Sequence, residues 1–198
     1  MDFNFMEEIS IIKDYAEREN VPIMQDAGIE FLCSFIEKKG IKNILEVGTA
    51  IGYSAIMMAS VNKNIHITTI ERDEARYMEA LKNIKKFNME DRITLIFNDA
   101  LNVEINEKFD LVFIDAAKGK NKELFNRFEK NLEMDGYIIT DNMSFHGYVE
   151  MDIEDIQSKN IRGIVTKIKD YIYFLENNMV YKTTIYKIGD GIAVTERR

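Results

Sequence analysis

The sequence is poor in residues that staple, break or brace a chain. There is no tryptophan, and one cysteine and one proline stand among 198 residues. The lone Cys33 rules out an intramolecular disulfide framework and points to a reducing, cytoplasmic compartment. Set in a helix-like apolar pattern, it reads as a core residue. With two histidines beside that cysteine, no zinc-type cluster is on offer. Long apolar runs are missing too: stretches such as Leu111–Ile114 have strand length, far short of the ~20 residues a membrane span needs. The leading segment Met1 to Glu8 is acidic and lacks the basic-then-apolar pattern of an export signal. Positive charge is scarce, since 26 Lys and Arg against 34 Asp and Glu leave a net charge of −8. That argues against generic nucleic-acid affinity, which draws on neutralised phosphates, but leaves room for a local basic patch. With 10 Gly, no internal repeat and no linker-like stretch, residues 1–198 are expected to form one domain.

What is present alternates. Ile9–Glu17 and Ile29–Lys38 carry apolar residues at three- and four-residue spacing and read as amphipathic helices, parted by Pro22. Strands are expected at Asn43–Val47, Ile65–Ile70, Arg92–Phe97, Phe109–Ile114 and Gly136–Thr140. Helices are expected at Tyr53–Ser60, Asp73–Asn88, Lys122–Asn131 and Asn160–Asn177. The chain closes with strands Val180–Ile188 and Gly191–Thr195, joined by the hairpin signal Gly189-Asp190. Alternating strands and helices imply an α/β fold with a mostly parallel sheet, and the last hairpin adds an antiparallel edge.

Ligands of such sheets bind at the carboxyl ends of the strands. The first strand ends in Leu45-Glu46-Val47-Gly48-Thr49-Ala50-Ile51-Gly52-Tyr53-Ser54. Gly48 would let the backbone approach a ligand, and Gly52 opens the next helix. The second strand ends in Glu71, a carboxylate able to accept hydrogen bonds from both hydroxyls of a ribose. The spacing is E-x-G-x-x-x-G and not the G-x-G-x-x-G of dinucleotide sites, where a pyrophosphate sits on a helix N-terminus. Glu46 would repel a pyrophosphate but suits a cationic ligand carrying a sulfonium and an ammonium, namely S-adenosylmethionine.

On these residues the segment resembles the first motif of class I methyltransferases. Gly48–Ser54, GTAIGYS, is similar to the small O-methyltransferases related to catechol and caffeoyl-coenzyme A methyltransferases. The resemblance runs over nearly the whole chain. It implies a Rossmann-like, seven-stranded sheet with extra N-terminal helices, adenine held near Asp99 and Ala100, Met24 bordering the cofactor, and Ser54 at its amino-acid end. It also implies a homodimer, with the leading helices or the terminal hairpin as contacts.

Two later strand tips carry oxygen donors, Asp115 and the pair Asp141-Asn142. Three side-chain oxygens facing one cleft fit a hard cation, although an Asp at a strand end also caps helices and Asp-Asn also makes turns. The resemblance assigns Asp115, Asp141 and Asn142 to magnesium, and Asp115 to the cofactor and the chemistry as well. A divalent cation would stabilise the oxyanion of a phenol-like hydroxyl, and an acceptor with two neighbouring oxygens would chelate it. Lys118 is the candidate general base or oxyanion partner. Where the family commonly has KGQY, this chain has Lys118-Gly119-Lys120-Asn121, without the aromatic.

Two acceptors fit: a small catechol in an aromatic-walled slot, or an extruded base within a basic rim. Lys118, Lys120, Lys122, Arg127 and Lys130 cluster after one metal ligand, while Lys159, Arg162, Lys167 and Lys169 follow the other. Asn160–Ile168 together with Val21–Met24 resembles bacterial transfer-RNA 5-hydroxyuridine methyltransferases, which act on the wobble uridine of the anticodon loop. That resemblance implies that Arg162 and Lys167 contact transfer-RNA phosphates; where the family commonly has a second basic residue, Thr166 stands. A reading of another class, a non-catalytic module that binds the cofactor, needs none of Asp115, Lys118, Asp141 and Asn142. His66 is expected to be partly exposed at a strand start, and His146 to be a candidate for the cleft wall.

Overall fold

The computed structural model describes residues 3–198, so Met1 and Asp2 of the leading segment lie outside the described residues. Two helices lead, α1 (Phe3–Arg18) and α2 (Asp26–Lys39), with Pro22 in the extended link between them. Strands and helices then alternate through β1 (Asn43–Val47), α3 (Tyr53–Val61), β2 (His66–Glu71), α4 (Glu74–Lys86) and β3 (Ile93–Phe97). They continue through β4 (Phe109–Ile114), α5 (Asn121–Phe128), β5 (Leu132–Thr140), α6 (Lys159–Glu176), β6 (Tyr181–Tyr186) and β7 (Ile192–Arg197). None of the described helices is long and apolar enough to cross a membrane.

Several boundaries move by up to three residues, and two move further. Helix α1 begins at Phe3 instead of Ile9. Strand β5 begins at Leu132, so Gly136 lies inside it and does not open it. The pairing of β4 with β5 shifts register between Phe109 and Leu111. A Cβ on Gly136 would stand 2.9 Å from the Leu132 side chain and 3.0 Å from the Asp110 carbonyl oxygen. The glycine therefore permits an irregularity within the strand, a role glycine often plays in sheets.

Among the described residues, seven strands form one sheet in the order β3-β2-β1-β4-β5-β7-β6. Strands β1 to β5 pair in parallel, and β7 is antiparallel to both β5 and β6. The order reverses between β1 and β4, which opens a crevice at their carboxyl ends. Because β6 runs parallel to β5, the turn from β6 into β7 arrives at that same carboxyl edge.

Burial explains why the central strands read as continuous apolar runs. On one face Ile44, Leu111, Phe113 and Ile139 pack against Ile9 and Ile12 of α1, Leu32 and Ile36 of α2, and the apolar side of α3. On the other, Leu45, Val112, Ile114 and Ile138 pack against Leu124 and Phe125 of α5 and Tyr171 of α6. A parallel sheet covered on both sides has no polar face to show. Cys33 packs against the first of these cores, and burial pushes its thiol up to about 12.

Candidate active site

The turn after β1 is shaped by a close crossing. Gly48 has φ +103°, and a Cβ on it would lie 2.1 Å from the main-chain oxygen of Asp115. The sequence suggested that Gly48 admits a ligand; its main constraint is the tip of β4. Gly52, at φ +86°, caps the start of α3 in the left-handed region, a conformation glycine adopts without penalty.

Glu46 alternates onto the α3 side of the sheet and is fully buried. Ser54 Oγ donates to its Oε1 at 2.6 Å and Thr69 Oγ1 to its Oε2 at 2.5 Å. Burial pushes its carboxyl up to about 7, with Asp115 and Glu71 adding to the rise and the two hydroxyls opposing it. Ser54, with Val47 and Gly48, lines a cleft of about 510 Å³, while Glu46 stands behind that wall. Its charge thus reaches the cleft through the Ser54 hydroxyl, where the sequence suggested direct contact. The volume is in the range of small-molecule sites.

Glu71 does face the cleft. Its Oε2 accepts the Ala50 N–H at 2.8 Å, and its Oε1 accepts those of Arg72 and Asp73, each at 2.8 Å. Three backbone donors lock the carboxylate and leave one lone-pair site, on Oε2, for a hydroxyl of a bound ligand. Asp99 and Ala100, just past β3, line the same end of the cleft, with Met24 from the link before α2. Asp99 accepts the Leu101 N–H at 2.9 Å and pairs with Arg72 at 3.2 Å. The Leu101 bond first, then Arg72, holds its carboxyl below the ordinary carboxylate range.

The tips of β4 and β5 supply the other end. Asp115, Lys118, Asp141 and Asn142 all line the cleft. Burial holds both carboxyls well above their ordinary range; Asp190 adds to both and Asp115 adds to Asp141, while Lys118 draws both back. Lys118 Nζ donates to Asn142 Oδ1 at 2.6 Å and lies 5.8 Å from the Phe145 ring centroid. Among the described residues no three His, Cys, Asp or Glu side chains gather into a metal cluster. The donor set is two carboxylates and one amide oxygen. It fits a hard cation on two grounds: its donors are all oxygen, and an ammonium already sits on the amide oxygen.

Several cleft residues escaped the sequence reading, among them Arg72, Arg76 and Asp190. Asp190, read as part of a hairpin turn, is 5% exposed and lines the cleft beside Asn142. The signal available was its position: a hairpin after a strand parallel to β5 returns to the ligand edge. His146 lines the cleft as well, although its side chain is largely exposed. His66 is exposed at the start of β2.

The basic rim is smaller than the sequence suggested. Arg127 Nε donates to the Ala100 carbonyl at 3.0 Å and Nη2 to that of Val103, so this arginine braces the loop after β3. Lys169 Nζ is held by the Met151 carbonyl at 2.8 Å and Lys122 lies 5.0 Å from the Phe174 ring, whereas Lys120 does line the cleft while pairing with Glu123 at 2.9 Å. Lys130 falls past the far end of α5, which runs away from the cleft. Lys167 behaves differently: a Cβ on Gly119 would meet its Cδ at 3.0 Å and its Nζ at 3.3 Å, so it reaches back to the Lys118 segment. Arg162 stands on the first turns of α6, and the Thr166 hydroxyl is spent on its carbonyl at 2.9 Å. Asn121, where the family commonly has an aromatic, opens α5, is 3% exposed and is absent from the cleft wall.

A seven-stranded sheet of this order, with a cleft-lining carboxylate at the end of β2 and a glycine turn after β1, defines the Rossmann-like methyltransferase class. The chain belongs to the O-methyltransferase family, whose model matches residues 4–198. A caffeoyl-CoA O-methyltransferase of Populus kitakamiensis is 27% identical over 193 residues, covering 93% of this chain and 82% of that protein. A crystal structure from Staphylococcus aureus, provisionally described as a caffeoyl-CoA O-methyltransferase, superposes with TM-score 0.90 at 36% identity, over 96% of this chain and 92% of that one. An O-methyltransferase of Bacillus cereus in complex with SAH gives TM-score 0.83 at 25% identity, over 97% and 91% of the two chains. The protein is an S-adenosylmethionine-dependent O-methyltransferase, and the cleft described here is its candidate cofactor and acceptor site.

Proposed function

We propose that this enzyme is magnesium-dependent and methylates the hydroxyl on carbon 5 of a wobble 5-hydroxyuridine in transfer RNA. The observation that carries the acceptor is Lys167, midway along α6, lying over Gly119, which brings a basic side chain of that helix to the Lys118 end of the cleft. A base presented by an anticodon loop is already single-stranded, so it enters a cleft without unpairing. Its carbon-5 hydroxyl and carbon-4 carbonyl are the adjacent oxygens that the metal donor set calls for.

Asp115, Asp141 and Asn142 would hold the cation, which when bound stabilises negative charge developing on the acceptor oxygen. The chain does the rest. Glu71, fixed by three backbone N–H groups, would orient the ribose, and Asp99 with Ala100 the adenine. Ser54 and the buried Glu46 would carry negative potential to the cationic end of the cofactor. Lys118 Nζ, once freed from Asn142 Oδ1, would hold the acceptor's proton or its oxyanion. Orientation of this kind is worth much of a methyl-transfer barrier. Pairing as a homodimer is part of the same reading, with the exposed Ile185 and Tyr186 of β6 as candidate contacts.

A second acceptor reading is favoured by the Populus relative, whose name places caffeoyl-CoA as its substrate. One experiment separates the two. Enzyme, S-adenosylmethionine and magnesium are incubated with transfer RNA bearing 5-hydroxyuridine and, separately, with caffeoyl-CoA or a catechol. Methylation of the RNA is expected, and loss of it on chelation with return on added magnesium. Methylation of the phenol alone overturns the RNA assignment; no methylation of either supports a module that only binds the cofactor.

A further inference from the structure

We propose that Asp190 is a positioning residue that dictates which way Asn142 faces, and thereby sets the affinity of the cation site. This rests on the reading of Asn142 Oδ1 as a metal ligand. Gly189 and Gly191 flank Asp190 at φ +57° and +85°. A Cβ on Gly191 would stand 2.8 Å from the Ser144 nitrogen, and one on Gly189 would stand 3.3 Å from the Gly28 nitrogen. The turn is thus wedged between α2 and the loop that follows β5. Backbone bonds fasten it there: the Ser144 N–H donates to the Asp190 carbonyl at 2.7 Å, and the Met143 N–H to the Gly191 carbonyl at 3.0 Å.

With its backbone pinned, the Asp190 carboxylate has a defined target. Its Oδ2 accepts from Asn142 Nδ2 at 3.2 Å and its Oδ1 from the His146 N–H at 2.5 Å. An ionised carboxylate can only accept, so it admits the NH₂ end of the Asn142 amide and refuses the carbonyl end. Lys118 Nζ, which can only donate, meets Oδ1 at 2.6 Å. The amide is held between an acceptor and a donor, and its oxygen points to the cation side. The same carboxylate steadies an unusual stretch of backbone, since Asn142, Phe145 and His146 have φ +62°, +48° and +56°. Bulky residues rarely adopt that region. A buried third carboxylate near Asp115 and Asp141 is costly unless it is paired, and the Asn142 amide and the His146 N–H are what pair it. Orienting partners of this kind typically change metal affinity about 10–100-fold when removed.

The test is calorimetric titration of the full chain with Mn²⁺, with S-adenosylmethionine affinity measured on the same samples. Asp190→Asn replaces one acceptor oxygen by a donor and should let the Asn142 amide turn. Mn²⁺ affinity is expected to fall about 10–100-fold, while cofactor affinity, which also reports folding, stays unchanged. Asp190→Ser serves as a second variant, with a loss of the same order. In an Asn142→Asp background there is no amide to orient, so Asp190→Asn should cost little or nothing. An equal loss in both backgrounds would mark Asp190 as merely structural and overturn the inference, as would unchanged affinity in Asp190→Asn. If the parent enzyme takes up no Mn²⁺, the metal reading itself fails and the inference falls with it, a result distinct from the other two.

Discussion

At the β1–β3 end of the cleft, Glu46, Glu71 and Asp99 are answered by hydroxyl, backbone or arginine donors, whereas at the β4–β5 end the buried Asp115 and Asp141 feel the charge of one lysine and Asp190 holds one amide. The first end is complete with the chain's own atoms. The second gathers negative charge that the chain compensates only in part, and burial of such charge is costly. A preformed cofactor seat thus adjoins an electrostatically unfinished acceptor seat.

The two ends meet at Gly48, so the largest effect should come from breaking that junction. Gly48→Ala would place a Cβ against the Asp115 carbonyl at a φ few alanines adopt. Left-handed strain and overpacking together predict a loss of about 2–5 kcal/mol in stability, read by denaturant unfolding. Affinity for cofactor and for cation should fall together. A variant of parental stability would show that the crossing is looser than described.

Next comes a crossed pair that should separate the halves. Asp141→Asn removes charge from the acceptor end and should lower methyl transfer about 100-fold or more, with weak Mn²⁺ binding and normal cofactor binding. Glu71→Gln turns a donor toward backbone N–H groups and should weaken S-adenosylmethionine about 10–100-fold, leaving Mn²⁺ uptake unchanged. If each variant impaired both ligands equally, the division into two seats would be wrong.

Protonation gives a smaller, graded contrast. Glu46, Asp115 and Asp141 have folded pKa values above their unfolded ones, so the folded chain binds more protons across that interval. Stability is then fullest below the ordinary carboxylate range and falls as pH rises toward neutrality, read as a falling Tm in thermal unfolding. Saturating magnesium should abolish the part due to Asp115 and Asp141 and spare the part due to Glu46. Equal pH slopes with and without magnesium would argue against a cation at the acceptor end.

The same contrast governs how much the sequence could tell. Strand-by-strand order was legible because buried parallel strands such as Phe109–Ile114 write their burial as apolar runs. Glu46 and Glu71 were legible as charge at strand tips, but that Glu46 stands behind the wall was not: its concealment depends on Ser54 and Thr69 closing over it. Gly136 looks like a strand start because a glycine between an acidic residue and an apolar run has the same local appearance at a boundary and at an irregularity. Asp190 was hidden because its role depends on a hairpin 48 residues beyond Asn142 folding back to it. Arg127 counted as surface charge until the loop carbonyls it braces were in view.

The least effect, and the finest test, concerns the basic residues around the acceptor end. Lys167 reaches Gly119 beside the cleft, while Lys130 lies past the far end of α5. If transfer RNA docks over the β4–β5 end, Lys167→Ala should remove one phosphate contact, weakening binding by roughly 1 kcal/mol and lowering the salt slope by about one. Lys130→Ala has the same charge change and should alter neither. Net charge is matched between the variants, so a difference between them reports position alone. Equal effects would mean that the RNA, if bound at all, responds to overall charge, and would return the acceptor end to a small phenol.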